Sequence, residues 1–359
     1  FFNNIKSVFR PDLAAEKKTS FADFSASINY GNQFDLGEKS LGVIASVSYS
    51  KDYRLYEDFQ SNSYIKNTNN TTDFDLITSR TQFGTLGQES VLLSALAGAS
   101  LKGKKAKYRL NLLHLQNGTA SGAKFRESNF IYASNTLVKD VLEYNQKSVT
   151  NLLLSGKHYN NDGSFTVEWK LSPTLNINKD KDIRVTPFRV DDGGFQIEPS
   201  ESGDPLRIWR NLNEVSYVGK VDMEYKYELF TREAKAKGGI YYSNKNRDYY
   251  IESFLVKVKR PSQFDYSSGD ANLLFSPNYL WTPQTNQGTY VTRGSGDADQ
   301  FESTQINRAA YLSNEMLVTE KLRTIIGLRL ENYTQVYTGI NQNDVQLTDE
   351  EIINKVDLF

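Results

Sequence analysis

The only two histidines of the chain, His114 and His158, are the first residues to consider for metal binding or proton transfer. Both fall in segments that alternate as strands do, near opposite ends of neighbouring strands. A shared metal ion needs every ligand atom within about 2 Å of one centre, so this pair makes a poor site. The chain has no cysteine, which excludes a thiolate metal site and a disulfide framework. We therefore expect no metal site.

Two acidic runs invite a calcium or phosphate interpretation. Residues 294–299 read GSGDAD, and residues 178–182 read NKDKD. Neither run has the strand–helix context that a phosphate-binding loop requires, so both are interpreted as ordinary loops. No segment resembles the strand–turn–helix motif of a nucleophilic serine. We expect no catalytic residue, no cofactor and no enzymatic activity.

The composition is low in hydrophobic residues, at 38%, but aromatic residues make up 13% of the chain. The formal net charge is −1, so the sequence gives no reason to expect a nucleic-acid partner. No run approaches the roughly 18 apolar residues of a membrane-spanning helix.

The elements that position the remaining candidates are strands. In residues 164–174, SFTVEWKLSPT, apolar and polar residues alternate, so a strand has one apolar and one charged face. The same pattern returns at 22–30, 41–49, 91–101, 106–112, 217–227 and 322–330. We count roughly ten strands and no helix. The fold class predicted is all-β and antiparallel.

The connections between these strands alternate between short and long. Short turns are predicted near Gly37, Gly103, Gly163, Thr231 and Glu320, and long connections at about 54–90, 117–147, 174–213 and 251–303. Tight turns at one rim, long loops at the other and strands of about 10 residues are typical of an outer-membrane β-barrel. A soluble β-sandwich or propeller with decorated loops is the alternative.

In the barrel interpretation, the apolar faces of the strands meet lipid and the charged faces line a wet lumen. The predicted lipid-facing residues on the two best-patterned strands are Phe165, Val167, Trp169, Leu171, Val221 and Met223. The lumen charges are of mixed sign, which favours a surface that contacts a plug over a pore that selects one ion sign.

Five residues fall in the predicted external loops and could contact a ligand: Arg207, Trp209, Arg210, Tyr279 and Trp281. The aromatic rings could stack on a sugar or a planar solute, and the guanidinium groups could pair with an anion. The alternative is that the rings pack the loops together and the arginines form loop salt bridges.

Several segments, in order, resemble TonB-dependent outer-membrane receptors of the Bacteroidota type. They are PLRIWRNLNEVSYVGKVDMEYKY (205–227), AKGGIYYSNKNRDYY (236–250), INRAAYLSNEMLVTEKLRTIIGLRLENYT (306–334) and SVTNLLLSGKHYNNDGSFTVEWKLSPT (148–174). In the segment 306–334, Ile326 occupies a position at which the corresponding segments of that family have a glycine. The resemblance covers most of the chain and implies a transmembrane up-and-down barrel of about 22 strands.

The resemblance also implies a domain organisation and partners. Residues 1–359 are expected to be one part of a single barrel domain, with the plug domain and the remaining strands outside this sequence. The implied function is uptake of a scarce solute across the bacterial outer membrane with energy from the TonB–ExbB–ExbD system. The implied partners are that system, outer-membrane lipid and a surface lipoprotein. The alternatives are a receptor-like barrel that serves as a scaffold or accessory subunit, and a passive porin.

Overall fold

The computed structural model describes residues 9–66, 74–131, 135–192, 194–294, 300–341, 343 and 345–358. Nearly all the regular structure in these ranges is β-strand. The strands are β1 (Phe24–Leu36), β2 (Lys39–Lys66), β3 (Leu76–Lys102), β4 (Ala106–Asn129), β5 (Asn135–Tyr159), β6 (Phe165–Asp191), β7 (Gly194–Gln196), β8 (Leu206–Leu229), β9 (Arg232–Lys259), β10 (Gly288–Arg293), β11 (Phe301–Thr319), β12 (Leu322–Ile340) and β13 (Gln346–Leu358). The helical pieces are α1 (Pro199–Ser202) and the 3₁₀ turns Pro261–Gln263, Ala271–Phe275 and Pro277–Tyr279.

The strands form one antiparallel sheet in which chain neighbours are sheet neighbours. The order is β1-β2-β3-β4-β5-β6-β8-β9-β11-β12-β13, with β7 paired to β6 and β10 paired to β9. The all-β, antiparallel, up-and-down prediction is therefore confirmed. The sheet is open, because the order runs from β1 to β13 and these two edge strands do not pair with each other.

The predicted strand length of about 10 residues is wrong. β2 and β9 each have 28 residues, and β3 and β6 each have 27. Most of the predicted long connections are therefore continuous ladder: β2 runs on to Lys66 and β3 resumes at Leu76. The distal halves of these strands are rich in Ser, Thr, Asn and Gly, so they lack apolar alternation but still form backbone hydrogen bonds. The predicted short turns are all present.

The register gives the two faces of the sheet different chemistry. Trp169 lies opposite Gly156 on β5 and opposite Val221 on β8, and these partners share one face. The full row across the sheet on that face is Phe34, Leu41, Leu101, Tyr108, Gly156, Trp169, Val221, Ile240, Ala310, Leu330 and Leu358. We call this row and its neighbours on the same side the apolar face.

Most of the best-buried apolar residues lie where the long connections meet, away from the short turns. This loop-side cluster consists of Phe9, Leu13, Phe188, Ile197, Val256, Tyr266, Ala271, Leu274, Phe275 and Val291. Its members come from the segment before β1, from β6, β9 and β10, from the residues just after β7, and from the connection between β9 and β10. The cluster joins the long connections into one packed layer.

Candidate functional site

Arg207, Trp209 and Arg210 lie on β8 and not in the predicted external loop. Arg207, the first of the predicted ligand contacts, is buried in the loop-side cluster. Its side chain is 1% exposed, and its guanidinium lies 4.8 Å from the ring centroid of Phe9 and 5.6 Å from that of Trp209. Its Nε donates a hydrogen bond to Asp182 Oδ1 at 2.7 Å, and its Nη2 donates to Asp182 Oδ2. A charge so deeply buried requires this pairing. Arg207 is therefore occupied by internal contacts.

Asp182 can serve two arginines because the backbone changes direction there. It adopts a left-handed conformation, with φ of 62°, at a bulge of β6 where the register against β8 shifts. A bulge re-aims a side chain that regular alternation would direct elsewhere. Arg184 Nε also donates to Asp182 Oδ2, at 2.9 Å. The arrangement holds two cations at the base of the loop-side cluster.

These arginines and two further side chains bind the backbone of residues 9–15, which we call the docked segment. Arg207 Nη1 donates to the carbonyl of Arg10 at 2.8 Å, and Arg184 Nη1 donates to that of Asp12 at 2.6 Å. Asn272 Oδ1 accepts from the Leu13 N–H at 2.8 Å.

Asp140 is the fourth side chain that contacts the docked segment. Its Oδ1 accepts a hydrogen bond from the N–H of Ala15 at 3.0 Å, and its Oδ2 lies 3.4 Å from Lys124 Nζ. The side chain of Asp140 is fully buried. Sequence reasoning did not identify the roles of Asp140, Asp182 and Arg184. Asp140 and Arg184 bind backbone groups 125 and 172 residues away in the chain, and the orientation of Asp182 depends on a bulge.

Trp209 and Tyr279 also pack into the cluster. Trp209 makes an edge contact with Phe254 at 5.7 Å between centroids. Tyr279 lies 5.4 Å from the ring of Tyr266 and donates its hydroxyl to the carbonyl of Asp265 at 2.9 Å. Burial raises the pKa of Tyr266 to about 12. Trp209 and Tyr279 therefore pack the loops together, which was the alternative to ligand contact.

The last two predicted ligand contacts are not members of the cluster. Arg210 is 44% exposed and pairs with Asp180, with 2.7 Å between Nε and Oδ2. The backbone N–H of Trp281 donates to the carbonyl of Thr289 at 2.9 Å. Arg207, Trp209 and Tyr279 therefore contact one cluster. Arg210 lies on the other side of β8, because successive residues of a strand point to opposite faces.

The opposite face of the sheet, which we call the polar face, carries paired charges of both signs. Glu168 and Lys170 lie 2.8 Å apart, and Lys220 and Asp222 lie 3.0 Å apart. The hydroxyl of Tyr311 donates to Asp222 Oδ1 at 2.7 Å. The alternation found in the sequence predicts this face well.

Glu214 is a well-enclosed acid of the polar face. It is 8% exposed, and it accepts hydrogen bonds from Arg247 Nε at 2.6 Å and from Asn176 Nδ2 at 2.8 Å. Lys245 Nζ lies 3.7 Å from its Oε1. Sequence reasoning did not single out Glu214, although it shares the phase of Asp222 on β8. This network fixes three neighbouring strands by charge-assisted hydrogen bonds.

Among the described residues, no group of three or more acidic or histidine side chains is arranged to hold a metal ion. His114 Nδ1 lies 2.8 Å from the hydroxyl of Thr150, and His158 Nε2 accepts from the Trp169 indole at 3.2 Å. The histidines thus have separate, structural partners. Residues 295–299 lie outside the described residues. The interpretation of residues 178–182 as a loop is wrong, because they lie within β6, where Asp180 and Asp182 form salt bridges.

No protein-family model matches this chain, and no curated protein is significantly similar to it. Within the described ranges, no helix is long and apolar enough to cross a membrane.

Proposed function

We propose that this chain forms part of the wall of an outer-membrane β-barrel that takes up a scarce solute with energy supplied through TonB. The observation that carries the proposal is the apolar face. Leu171, Met223 and Leu330 are each about half exposed on it, at 50%, 49% and 50%, and Ile240 is 62% exposed. Monomeric soluble proteins rarely expose contiguous apolar surface on this scale, which marks a membrane or protein contact.

The height of the apolar face fits a bilayer. On β8, Tyr217 and Tyr225 lie on this face, eight residues apart and about half exposed, at 54% and 51%. At about 3.3 Å per residue they are about 26 Å apart along the strand. A tilt of about 40° reduces this to about 20 Å, close to the roughly 25 Å apolar band of outer-membrane barrels. Tyrosines at both limits are typical of membrane interfaces.

The polar face supports a plugged lumen rather than an open pore. Its charges pair with one another, as in the Glu214 network and the Lys220–Asp222 pair. An ion-selective pore would instead display rings of one sign. The proposal that TonB supplies the energy is based on the resemblance of the sequence to TonB-dependent receptors.

The proposal is tested by comparing uptake in cells that lack this gene with uptake in cells that lack TonB. Both strains are grown on a panel of limiting solutes that includes siderophores, oligosaccharides, peptides and cobalamin. We expect one solute whose uptake both deletions abolish. Uptake that depends on the gene but is unchanged without TonB would contradict the proposal and would fit a passive porin.

One observation favours a second candidate, the scaffold or accessory barrel. The loop side uses Arg207, Trp209 and Tyr279 for internal packing, so these residues are not displayed to a solute. A scaffold would co-purify with partner proteins in fixed stoichiometry, and its deletion would leave every solute on the panel taken up normally.

A further inference from the structure

Three lysines lie side by side on the polar face next to the short turns. Lys102 on β3 pairs in register with Lys107 on β4, which pairs with Lys157 on β5. We call these three the basic row. Neighbouring strands are about 4.8 Å apart, so like charges directly opposite each other repel. Arg109, two residues beyond Lys107, adds a fourth positive charge on the same face.

The described part of the chain offers these four cations no salt-bridge partner. The nearest acids are Glu168, which lies opposite Lys157 but pairs with Lys170 at 2.8 Å, and Asp35, two strands away from Lys102. Glu38 on the adjoining turn pairs with Lys104. The charges on the rest of the polar face are largely paired, so this corner stands out as net positive.

A depression opens beside Arg109. It has a volume of about 500 Å³, and its lining includes the polar residues Gln33, Arg109 and Asn111 together with Gly31, Gly42, Gly98 and the apolar residues Val43 and Ile44. Three adjacent strands contribute a glycine here. The space lies above Gly31 and Gly42, whereas the side chains of Ile44 and Asn111 cover Gly98. A Cβ added at Gly42 would meet nothing closer than 3.9 Å, so the space above that residue is open.

We propose that this depression binds a small oxyanion, a carboxylate or phosphate group. Arg109 supplies two parallel N–H donors of the geometry that such a group accepts, and Gln33 and Asn111 supply amide donors at the rim. The basic row increases the positive field at the same place. The volume lies in the range of small-molecule sites, which favours a small anion over an acidic polypeptide.

The inference goes beyond the proposed function, because binding by the purified chain requires neither TonB nor a membrane potential. The two proposals can therefore fail separately. If both hold, the transported solute carries an acidic group that is bound near the short-turn end of the wall.

The test is calorimetric titration of the purified full-length protein in detergent, at low ionic strength, with inorganic phosphate and with citrate as probes. We expect saturable binding of at least one probe, and the preferred probe distinguishes phosphate from carboxylate recognition. Arg109→Gln should weaken binding at least tenfold, and Arg109→Lys should weaken it less. Gly42→Leu should block the depression without a change of charge.

Lys147→Gln is the matched control. Lys147 lies on the same face of β5 as Lys157, ten residues away and about 33 Å along the strand. The control should bind the probes as the native protein does. Absence of saturable binding for both probes would overturn the proposal. So would equal weakening by the Arg109→Gln and Lys147→Gln variants, or binding of an acidic peptide by a protein that binds neither probe.

Discussion

Trp169 lies directly over Gly156 of the neighbouring strand, and the indole occupies the space that a side chain at 156 would need. A Cβ built on Gly156 would come within 2.5 Å of the indole Nε1 and Cε2 atoms. The same nitrogen donates to His158 at 3.2 Å. The small residue on β5 and the large residue on β6 are therefore complementary parts of one row of the apolar face.

Gly156→Ala should displace the indole of Trp169 and break its hydrogen bond to His158. Overpacking of this kind costs about 1–3 kcal/mol of unfolding free energy. The measurement is denaturant unfolding followed by tryptophan fluorescence. Gly219→Ala is the control, because a Cβ there would make ordinary contact with Leu171 at 3.6 Å. Equal stability of the two variants would contradict the packing described above.

Trp169→Lys should impair membrane assembly. If the apolar face meets lipid, a lysine near the bilayer midplane costs about 2–4 kcal/mol. The measurement is the yield of heat-modifiable, folded protein in the outer-membrane fraction. Ser243→Lys adds the same charge to the polar face and should assemble normally. Normal assembly of the Trp169→Lys variant would count against lipid contact at this face.

Arg207→Ala should release the docked segment and destabilise the loop-side cluster. Removing one partner of a buried ion pair costs about 3–5 kcal/mol, and Asp182 would keep Arg184 as a cationic partner, so we expect the lower end of this range. Amide exchange at Leu13 and Ala14, whose N–H groups bind Asn272, should accelerate. Arg210→Ala removes a half-exposed pair and should cost no more than about 1 kcal/mol. Similar exchange in both variants would refute the assigned role of Arg207.

Asp162, in the turn between β5 and β6, should titrate at an unusually low pH. The backbone N–H and the hydroxyl of Ser164 donate to its carboxylate at 3.1 Å and 2.9 Å, which lowers the pKa of Asp162. Because the folded pKa is depressed, the contribution to stability is complete above the unfolded pKa. It is lost as pH falls through the folded pKa.

Carboxyl NMR titration of the protein measures the pKa of Asp162 directly. Ser164→Ala deletes only the hydroxyl donor, so the pKa should rise part of the way toward the ordinary value near 3.9. An unchanged pKa in that variant would show that the hydroxyl bond has no influence on the carboxylate.

The sequence predicts those parts of the fold that depend on local alternation. Trp169 and Glu168 lie on opposite faces, as their phase predicts, and the Asn160–Ser164 turn closes the predicted hairpin. Strand length could not be predicted, because ladder hydrogen bonds use backbone atoms and continue where side chains give no pattern.

The contacts of the loop-side cluster could not be predicted from the sequence because they join residues that are far apart in the chain. Arg184 binds the carbonyl of Asp12, which is 172 residues away in the chain, and Arg207 binds that of Arg10, 197 residues away. The orientation of Asp182 depends on a bulge, and no residue type in this part of the sequence predicts that bulge. Arg207 and Trp209 could be identified as unusual residues, but what they contact depends on tertiary structure.

The length of β8 has a consequence for where a solute is first met. The strand begins at Leu206, eleven residues before Tyr217. This segment is about 36 Å long, and at a tilt of about 40° it rises roughly 28 Å above the level of Tyr217. In the membrane placement proposed above, this part of the sheet extends beyond the lipid on the loop side, and the docked segment and its arginines lie near its far end. Arrival and selection would then take place outside the headgroup layer, well before a solute is level with the bilayer.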